Sequence, residues 1–238
     1  MSLQPGFHSL WPTPLGLHRH ADAEALNPLL VRVFGALRAT QTHARGGAPG
    51  AAFFASDDDL LKRVQLPEWQ SFVRFLVDSL RTTVTQANAD AWPEAQRKSG
   101  IGLQLAIEGL WFQCSNRGAF HDVHTHGNCS WSGVYVVQVD APEQRRAHPV
   151  FGMANGVTRL YGPPFTHLAG AHADLGNAYL QPPSVDVAPL PGQLLLFPSW
   201  LAHQALPYEG ALDRVIVSFN ASVHAGGGSD RLHGYAAT

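Results

Sequence analysis

The sequence is poor in cysteine, in charge and in long apolar runs, and each shortage excludes a class of protein. Its 238 residues include two cysteines, Cys114 and Cys129, and no C-x-x-C motif. That excludes a disulfide scaffold and argues against a thiolate zinc site. Charged residues make up 14% of the chain and the net charge is −2, whereas a face that binds nucleic acid would be basic.

Segments that enter or cross a membrane are also missing from the pattern. No apolar run approaches the ~20 residues needed to span a bilayer, and the first residues lack the basic and apolar regions of a signal peptide. We therefore predict a cytoplasmic protein with reduced thiols and with neither a membrane nor a nucleic-acid partner.

The residues that are present divide the chain into a helical part and a strand-rich part. Leucines at helical spacing predict a helix from Ala23 to about Thr40, and Pro67 begins a second apolar stripe. From about Gly102 the runs become short, β-branched and aromatic, and Gly and Pro interrupt them. Strands are predicted at Leu103–Cys114, Ser130–Asp140, Gly156–Tyr161, Ala178–Val187, Gln193–Phe197 and Arg214–Val223.

Many short strands with turn residues between them predict a sandwich, barrel or jelly roll. Hydrophobic residues make up 45% of the chain, which is ample material for a core. We expect one domain over residues 1–238, in which a helical part, 1–100, packs on a β core, 101–238.

A histidine cluster is the first sign of chemistry. His121, His124 and His126 fall within six residues. Residues two apart in a strand project to the same face, so His124 and His126 point together, as a metal-binding pair must. His121 is one step off that face. The alternative is a polar, histidine-rich strand end that binds no metal.

A third ligand and an anion clamp are predicted from the last strands. His203 follows the apolar run 194–197, and Arg214 alternates with Ser218 onto one face of the final strand. An inward arginine is costly unless something polar lies there, and its guanidinium fork matches a carboxylate. Arg214 near a metal would clamp a dicarboxylate whose other end binds the metal; alternatively, Arg214 faces solvent.

The third ligand could also be a carboxylate, because non-haem iron oxygenases usually bind the metal with two histidines and one carboxylate. Two segments have the spacing, His20-Ala21-Asp22 and His172-Ala173-Asp174. Asp22 is better used as a helix cap, and the second segment leaves little room for strands before His203. With His124, His126 and His203 instead, the site would be all-nitrogen, which also suits Zn, Ni or Cu.

The motifs resemble a family of 2-oxoglutarate/Fe(II)-dependent oxygenases found in bacteria and phages. The matching stretches are His124 to His126, Ser132 to Val136, Gly192 to His203 and Arg214 to Asn220. The resemblance implies a double-stranded β-helix, a jelly roll like that of the cupins, packed against helices. It also implies Fe(II) bound by the three histidines, and 2-oxoglutarate bound by Arg214 with Ser218 and Tyr135.

The expected activity is therefore hydroxylation of a small-molecule or peptide substrate, with succinate and CO2 as coproducts. A three-histidine cupin-type dioxygenase that uses no oxoacid, and a metal- or ligand-binding module without turnover, remain alternatives. The weakly patterned segment 140–181 is expected to form a lid or a specificity wall. A homodimer is possible.

Overall fold

The computed structural model describes residues 13–40, 52–92, 100–162, 176 and 184–226. Several predictions fall outside these ranges: the His172-Ala173-Asp174 ligand pair, residues 163–175 and 177–181 of the lid segment predicted at 140–181, and the first six residues of the strand predicted at Ala178–Val187.

In the described ranges, three helices lie in the N-terminal part, and one short helix lies within the strand-rich part. They are α1 (Ala23–Thr40), α2 (Leu60–Arg63), α3 (Pro67–Asn88) and α4 (Pro142–Arg146), with a 3-10 turn at Gly152–Ala154. The strands are β1 (Gly16–Arg19), β2 (Phe53–Ala55), β3 (Gly102–Ser115), β4 (Ala119–His124), β5 (Trp131–Gln138), β6 (Thr158–Tyr161), β7 (Ser184–Val187), β8 (Gln193–Pro198), β9 (His203–Tyr208) and β10 (Arg214–Gly226).

The two long helices form where the sequence predicts them. Helix α3 begins with Pro67, whose missing N–H is harmless in a first turn. Its buried residues Trp69, Phe72, Leu76 and Leu80 recur every three or four positions and form one apolar stripe. Because that stripe needs a partner surface, α3 packs with α1 on the outer face of the larger sheet, in one continuous hydrophobic cluster.

The strands form two antiparallel sheets. The larger has the order β1-β8-β5-β10-β3-β2, and the smaller has the order β4-β9-β6-β7. Alternate residues of the larger sheet face the helices, and the others, such as Val134 and Ile216, face the smaller sheet. This arrangement is the predicted jelly roll, a double-stranded β-helix, with helices covering its larger sheet.

Two parts of the secondary-structure prediction are wrong. Residues 1–100 are not only helical, because β1 pairs with β8 and β2 pairs with β3, so this part supplies both edges of the larger sheet. Strand β9 was not predicted, and His203, which was expected only to follow the apolar run of β8, is its first residue. These strands have three to six residues, and partners far along the chain define them. None of the helices in the described ranges is long and apolar enough to cross a membrane.

Candidate metal centre

Three histidines converge between the sheets. His124 ends β4 and pairs in register with His203 at the start of β9, so their side chains are neighbours on one sheet. Their ring centroids are 4.2 Å apart, and the His126 ring lies 5.1 Å from that of His124. Each of the three offers one ring nitrogen, and these three nitrogens lie within 4.8 Å of one another. The spacing is that of a metal-binding group.

His126 reaches this group by a different route from the predicted one. Strand β4 ends at His124, so strand alternation does not orient His126. Instead its backbone N–H donates to the carbonyl of Ser199, in the β8–β9 turn, over 2.9 Å. The predicted convergence of His124 and His126 is present, but a loop tied to β8 produces it.

The imidazole tautomers suit metal binding. Nδ1 of His203 lies 2.9 Å from the carbonyl of Leu201, and Nδ1 of His124 lies 2.6 Å from the carbonyl of Asp122. A carbonyl accepts only, so each Nδ1 donates a proton, and in the neutral form of either ring Nε2 is then the nitrogen with a free lone pair. Nε2 of His126 lies 3.2 Å from Nε2 of His203. Two nitrogens bound about 2.1 Å from one metal are about 3 Å apart, so this pair fits one ion.

The protonation states also favour a metal. Burial, and then the nearby His124 and His121, lower the pKa of His126 to about 4. Burial likewise lowers the pKa of His203 to about 4, although its bond to Leu201 opposes the shift. Both rings are therefore neutral at pH 7, as metal ligands must be.

His121 joins the same cavity wall, against expectation. It pairs with Ala205, whereas His124 pairs with His203, so three steps along β4 match two along β9. This bulge inserts one residue and turns His121 to the face of His124. Burial, followed by the charge of His124, lowers the pKa of His121.

Arg214 is inside the protein and not at the surface. It is 4% exposed, and burial lowers its pKa to about 10, so it remains charged at neutral pH. One terminal N–H donates to the Thr158 hydroxyl at 3.4 Å, while its Nε–H has no acceptor among the described residues. Gly156, in the left-handed region at φ +74°, leaves room for the ring of Tyr208 beside this site, because a Cβ there would lie 2.6 Å from Cδ2 of that ring.

One cavity, with about 460 Å³ of space between atoms that is partly open to solvent, joins the histidines to Arg214. Ser218 lines the cavity, as the alternation of β10 predicts. Thr158 also lines it and was not predicted from the sequence. Strands β3, β5 and β10 supply most of the remaining wall, with Phe197 from β8 and Ala205 from β9; the residues from the first three strands include Trp111, Gln113, Ser132, Val134, Ile216 and Asn220. A buried cation with an unused donor, opposite a set of imidazoles, fits an anion that bridges the two.

Tyr135, predicted to contact the cosubstrate, points the other way. Its side chain shares a face with Val137 and packs among the helices, where its ring lies 4.8 Å from that of Phe72. Its hydroxyl donates to the side chain of Asn27 on α1 over 2.8 Å. The strand alternation that orients Val134 toward the cavity turns Tyr135 away from it, so this assignment is corrected.

Comparison with known families and structures adds an independent line of support. Residues 109–220, just under half of the chain, match the family described as "Putative 2OG-Fe(II) oxygenase". That segment includes all three histidines, Arg214 and Ser218. No curated protein sequence matches this chain.

Solved structures resemble the fold at low sequence identity. A prolyl-4-hydroxylase from Pseudomonas putida aligns with a TM-score of 0.53 and 15% identity, over 88% of this chain and 93% of that one. HygX from Streptomyces hygroscopicus, with nickel, 2-oxoglutarate and hygromycin B bound, aligns with a TM-score of 0.52 and 12% identity, over 88% and 83%. A prolyl hydroxylase from Trichoplax adhaerens, in complex with a peptide fragment of hypoxia inducible factor, aligns with a TM-score of 0.51 and 12% identity, over 87% of this chain and 83% of that one. At such identities the likeness concerns the fold.

Proposed function

We propose that this chain, whose residues 109–220 form a 2OG-Fe(II) oxygenase domain, uses Fe(II) and 2-oxoglutarate to hydroxylate its substrate. His124, His126 and His203 would hold the iron, and Arg214 with Ser218 would hold the far carboxylate of 2-oxoglutarate. The observation that carries the proposal is the buried Arg214 guanidinium, which shares one cavity with the three imidazoles and keeps an unused Nε–H donor.

Charge balance supports this pairing of ligand and site. The three imidazoles are neutral ligands, so they leave the charge of a divalent ion uncompensated, and none of the described ion pairs involves Arg214. Burying a charge without a partner is strongly unfavourable. A dicarboxylate would place one negative charge at the metal and the other at the guanidinium, which neutralises the charge of Arg214 and reduces the net charge at the divalent ion.

Each residue then has a simple task. The backbone carbonyls of Asp122 and Leu201 fix the rings of His124 and His203 with Nε2 facing inward. Thr158 holds one terminal nitrogen of Arg214 and leaves Nε for the ligand. When bound, Fe(II) with 2-oxoglutarate and O2 supplies oxidative decarboxylation to succinate and CO2 and the insertion of one oxygen atom into a C–H bond.

The second candidate is a three-histidine dioxygenase that uses no oxoacid. The all-imidazole ligand set favours it, since the expected carboxylate ligand is replaced by His126. The buried Arg214 argues against it, because such an enzyme has no need for a carboxylate clamp. A module that binds metal without turnover is the third candidate.

Oxygen uptake measured beside succinate separates the three. The Fe(II)-loaded protein is placed in aerated buffer with and without 2-oxoglutarate, and both oxygen and succinate are followed. The oxygenase is expected to form succinate slowly even without its substrate, and only when 2-oxoglutarate is present. Oxygen uptake at the same rate with and without 2-oxoglutarate supports the second candidate. Bound metal without oxygen uptake supports the third.

The substrate class stays open between a small molecule and a peptide. Proteins of similar fold include prolyl hydroxylases and one structure with hygromycin B bound, so the fold accommodates both classes. We also propose a cytoplasmic location, from the sequence, and a homodimer, which sedimentation would test.

A further inference from the structure

His121 is a cavity-facing imidazole that neither the metal group nor the anion clamp uses. Its ring is held between two others: the Phe53 ring at 5.4 Å and the His124 ring at 4.8 Å, measured between centroids. It lines the cavity but forms no hydrogen bond to any residue in the described ranges, and it is not one of the three convergent ligands. Packing therefore fixes the orientation of the ring and leaves its polar atoms unused.

The bulge in β4 is what brings His121 inside. A regular strand would turn a residue three positions before His124 to the opposite face. The extra residue between the pairs His121–Ala205 and His124–His203 reverses that direction. Bulges often redirect a side chain next to an active site. Here the bulge turns His121 into the cavity and disrupts the pairing of β4 with β9 locally.

The pairing of strands in the smaller sheet shows where His121 lies in the cavity. Thr158, which contacts Arg214, pairs with Ala205, and Ala205 pairs with His121. Thr158 and His121 thus lie two strands apart, about 10 Å across the sheet. The His121 ring instead contacts the ring of His124, a predicted ligand. His121 therefore lies beside the metal end of the cavity, although the charge of Arg214 also reaches it.

We propose that His121 is a cosubstrate-positioning residue whose ring N–H donates a hydrogen bond to the carboxylate of 2-oxoglutarate beside the metal. This inference rests on the proposed function and assigns it one further residue. An imidazole can supply one donor, and a hydrogen bond to a carboxylate is stronger than one between neutral groups. His121 would fix the orientation of the bound oxoacid, while Arg214 fixes its far end.

The test compares two oxoacids. Pyruvate keeps the oxo and carboxylate groups that bind the metal and lacks the far carboxylate of 2-oxoglutarate. Each is titrated without oxygen into the Fe(II)-loaded protein, and the Kd is read from the visible absorbance of the iron–oxoacid complex. His121→Phe keeps an aromatic ring against Phe53 and removes the donor. His121→Gln retains an N–H donor.

His121→Phe is expected to raise the Kd of both acids about 10-fold or more, with one iron still bound per chain. His121→Gln should recover part of the loss, which a merely structural role would not predict. Arg214→Met serves as the reciprocal control, because it should weaken the binding of 2-oxoglutarate and leave the binding of pyruvate unchanged.

The failures are distinguishable. If the unaltered protein binds neither acid, the proposed function fails and this inference fails with it. If the unaltered protein binds both and His121→Phe binds them equally well, His121 has no such role while the function stands. A loss confined to 2-oxoglutarate would also overturn the inference, since His121 would then act at the Arg214 end.

Discussion

Nε2 of His126 lies 3.2 Å from Nε2 of His203, although the two residues are 77 positions apart in the chain. One ring comes from a loop tied to the β8–β9 turn, and the other begins a strand. Neutral imidazole nitrogens gain nothing by facing each other closely unless a proton or an ion lies between them. Their spacing suits two ligands of one metal, and their role as ligands is a prediction that the following experiments examine.

Removing one imidazole should abolish tight metal binding. His203→Ala deletes a buried ligand and leaves two, so the protein is expected to lose nearly all bound Fe(II) at equimolar metal. His224→Ala is the matched control, because His224 is exposed on β10 away from the cavity. Metal content after gel filtration gives the result. Equal metal in both variants would rule out His203 as a ligand.

Replacing Arg214 should weaken the binding of 2-oxoglutarate and leave the binding of the metal unchanged. Arg214→Met retains an unbranched apolar stem of similar reach and removes the charge. Loss of a buried charge pair costs about 2 kcal/mol or more, so the Kd of 2-oxoglutarate should rise at least about 30-fold. Arg159→Met, which breaks an exposed pair with Asp186 on the smaller sheet, should leave that Kd unchanged. An unaltered Kd in Arg214→Met would contradict the clamp.

Two glycines should respond to alanine with opposite sign. A Cβ at Gly133 on β5 would overlap the ring of Phe219 in the core, so Gly133→Ala should lower the free energy of unfolding by about 1–3 kcal/mol. Gly35 lies inside α1 with nothing within 4 Å of a Cβ, so Gly35→Ala should raise it by about 0.5–1 kcal/mol. Urea denaturation measures both. A neutral Gly133→Ala would refute the packing of β5 on β10 described above.

Cys114 should resist alkylation in the folded protein. Burial raises its pKa to about 11, with Asp213 adding to the shift and Arg38 opposing it. At pH 8 only about one chain in a thousand then carries the reactive thiolate, and the fraction rises tenfold per pH unit. Peptide mass spectrometry after iodoacetamide treatment should find Cys114 unmodified until urea is added. Rapid labelling of native Cys114 would mean that β3 is not packed as described.

The sequence predicted those features that depend on local periodicity. The apolar stripes of α1 and α3 follow helical spacing, and the alternation along β10 turned Arg214 and Ser218 inward. Each of these patterns extends over several residues, so one irregularity does not destroy it. The family resemblance correctly indicated the jelly roll, and residues 109–220 match the model of a 2OG-Fe(II) oxygenase family.

The features that the sequence did not predict depend on pairing between distant strands. His121 faces the cavity because of one extra residue in β4, and no local pattern marks that insertion. Thr158 meets Arg214 only because β6 lies opposite β10 in the other sheet. Tyr135 was assigned by resemblance alone, whereas the alternation of β5 already placed it on the face of Val137, toward the helices.

Anomalous diffraction from crystals grown with Fe(II) would test the central claim most directly. Data collected on both sides of the iron absorption edge locate the ion and its ligands together. We expect one peak about 2.1 Å from a ring nitrogen of each of His124, His126 and His203. A peak bound by Asp174 in place of His126, or no iron at these three rings, would contradict the account.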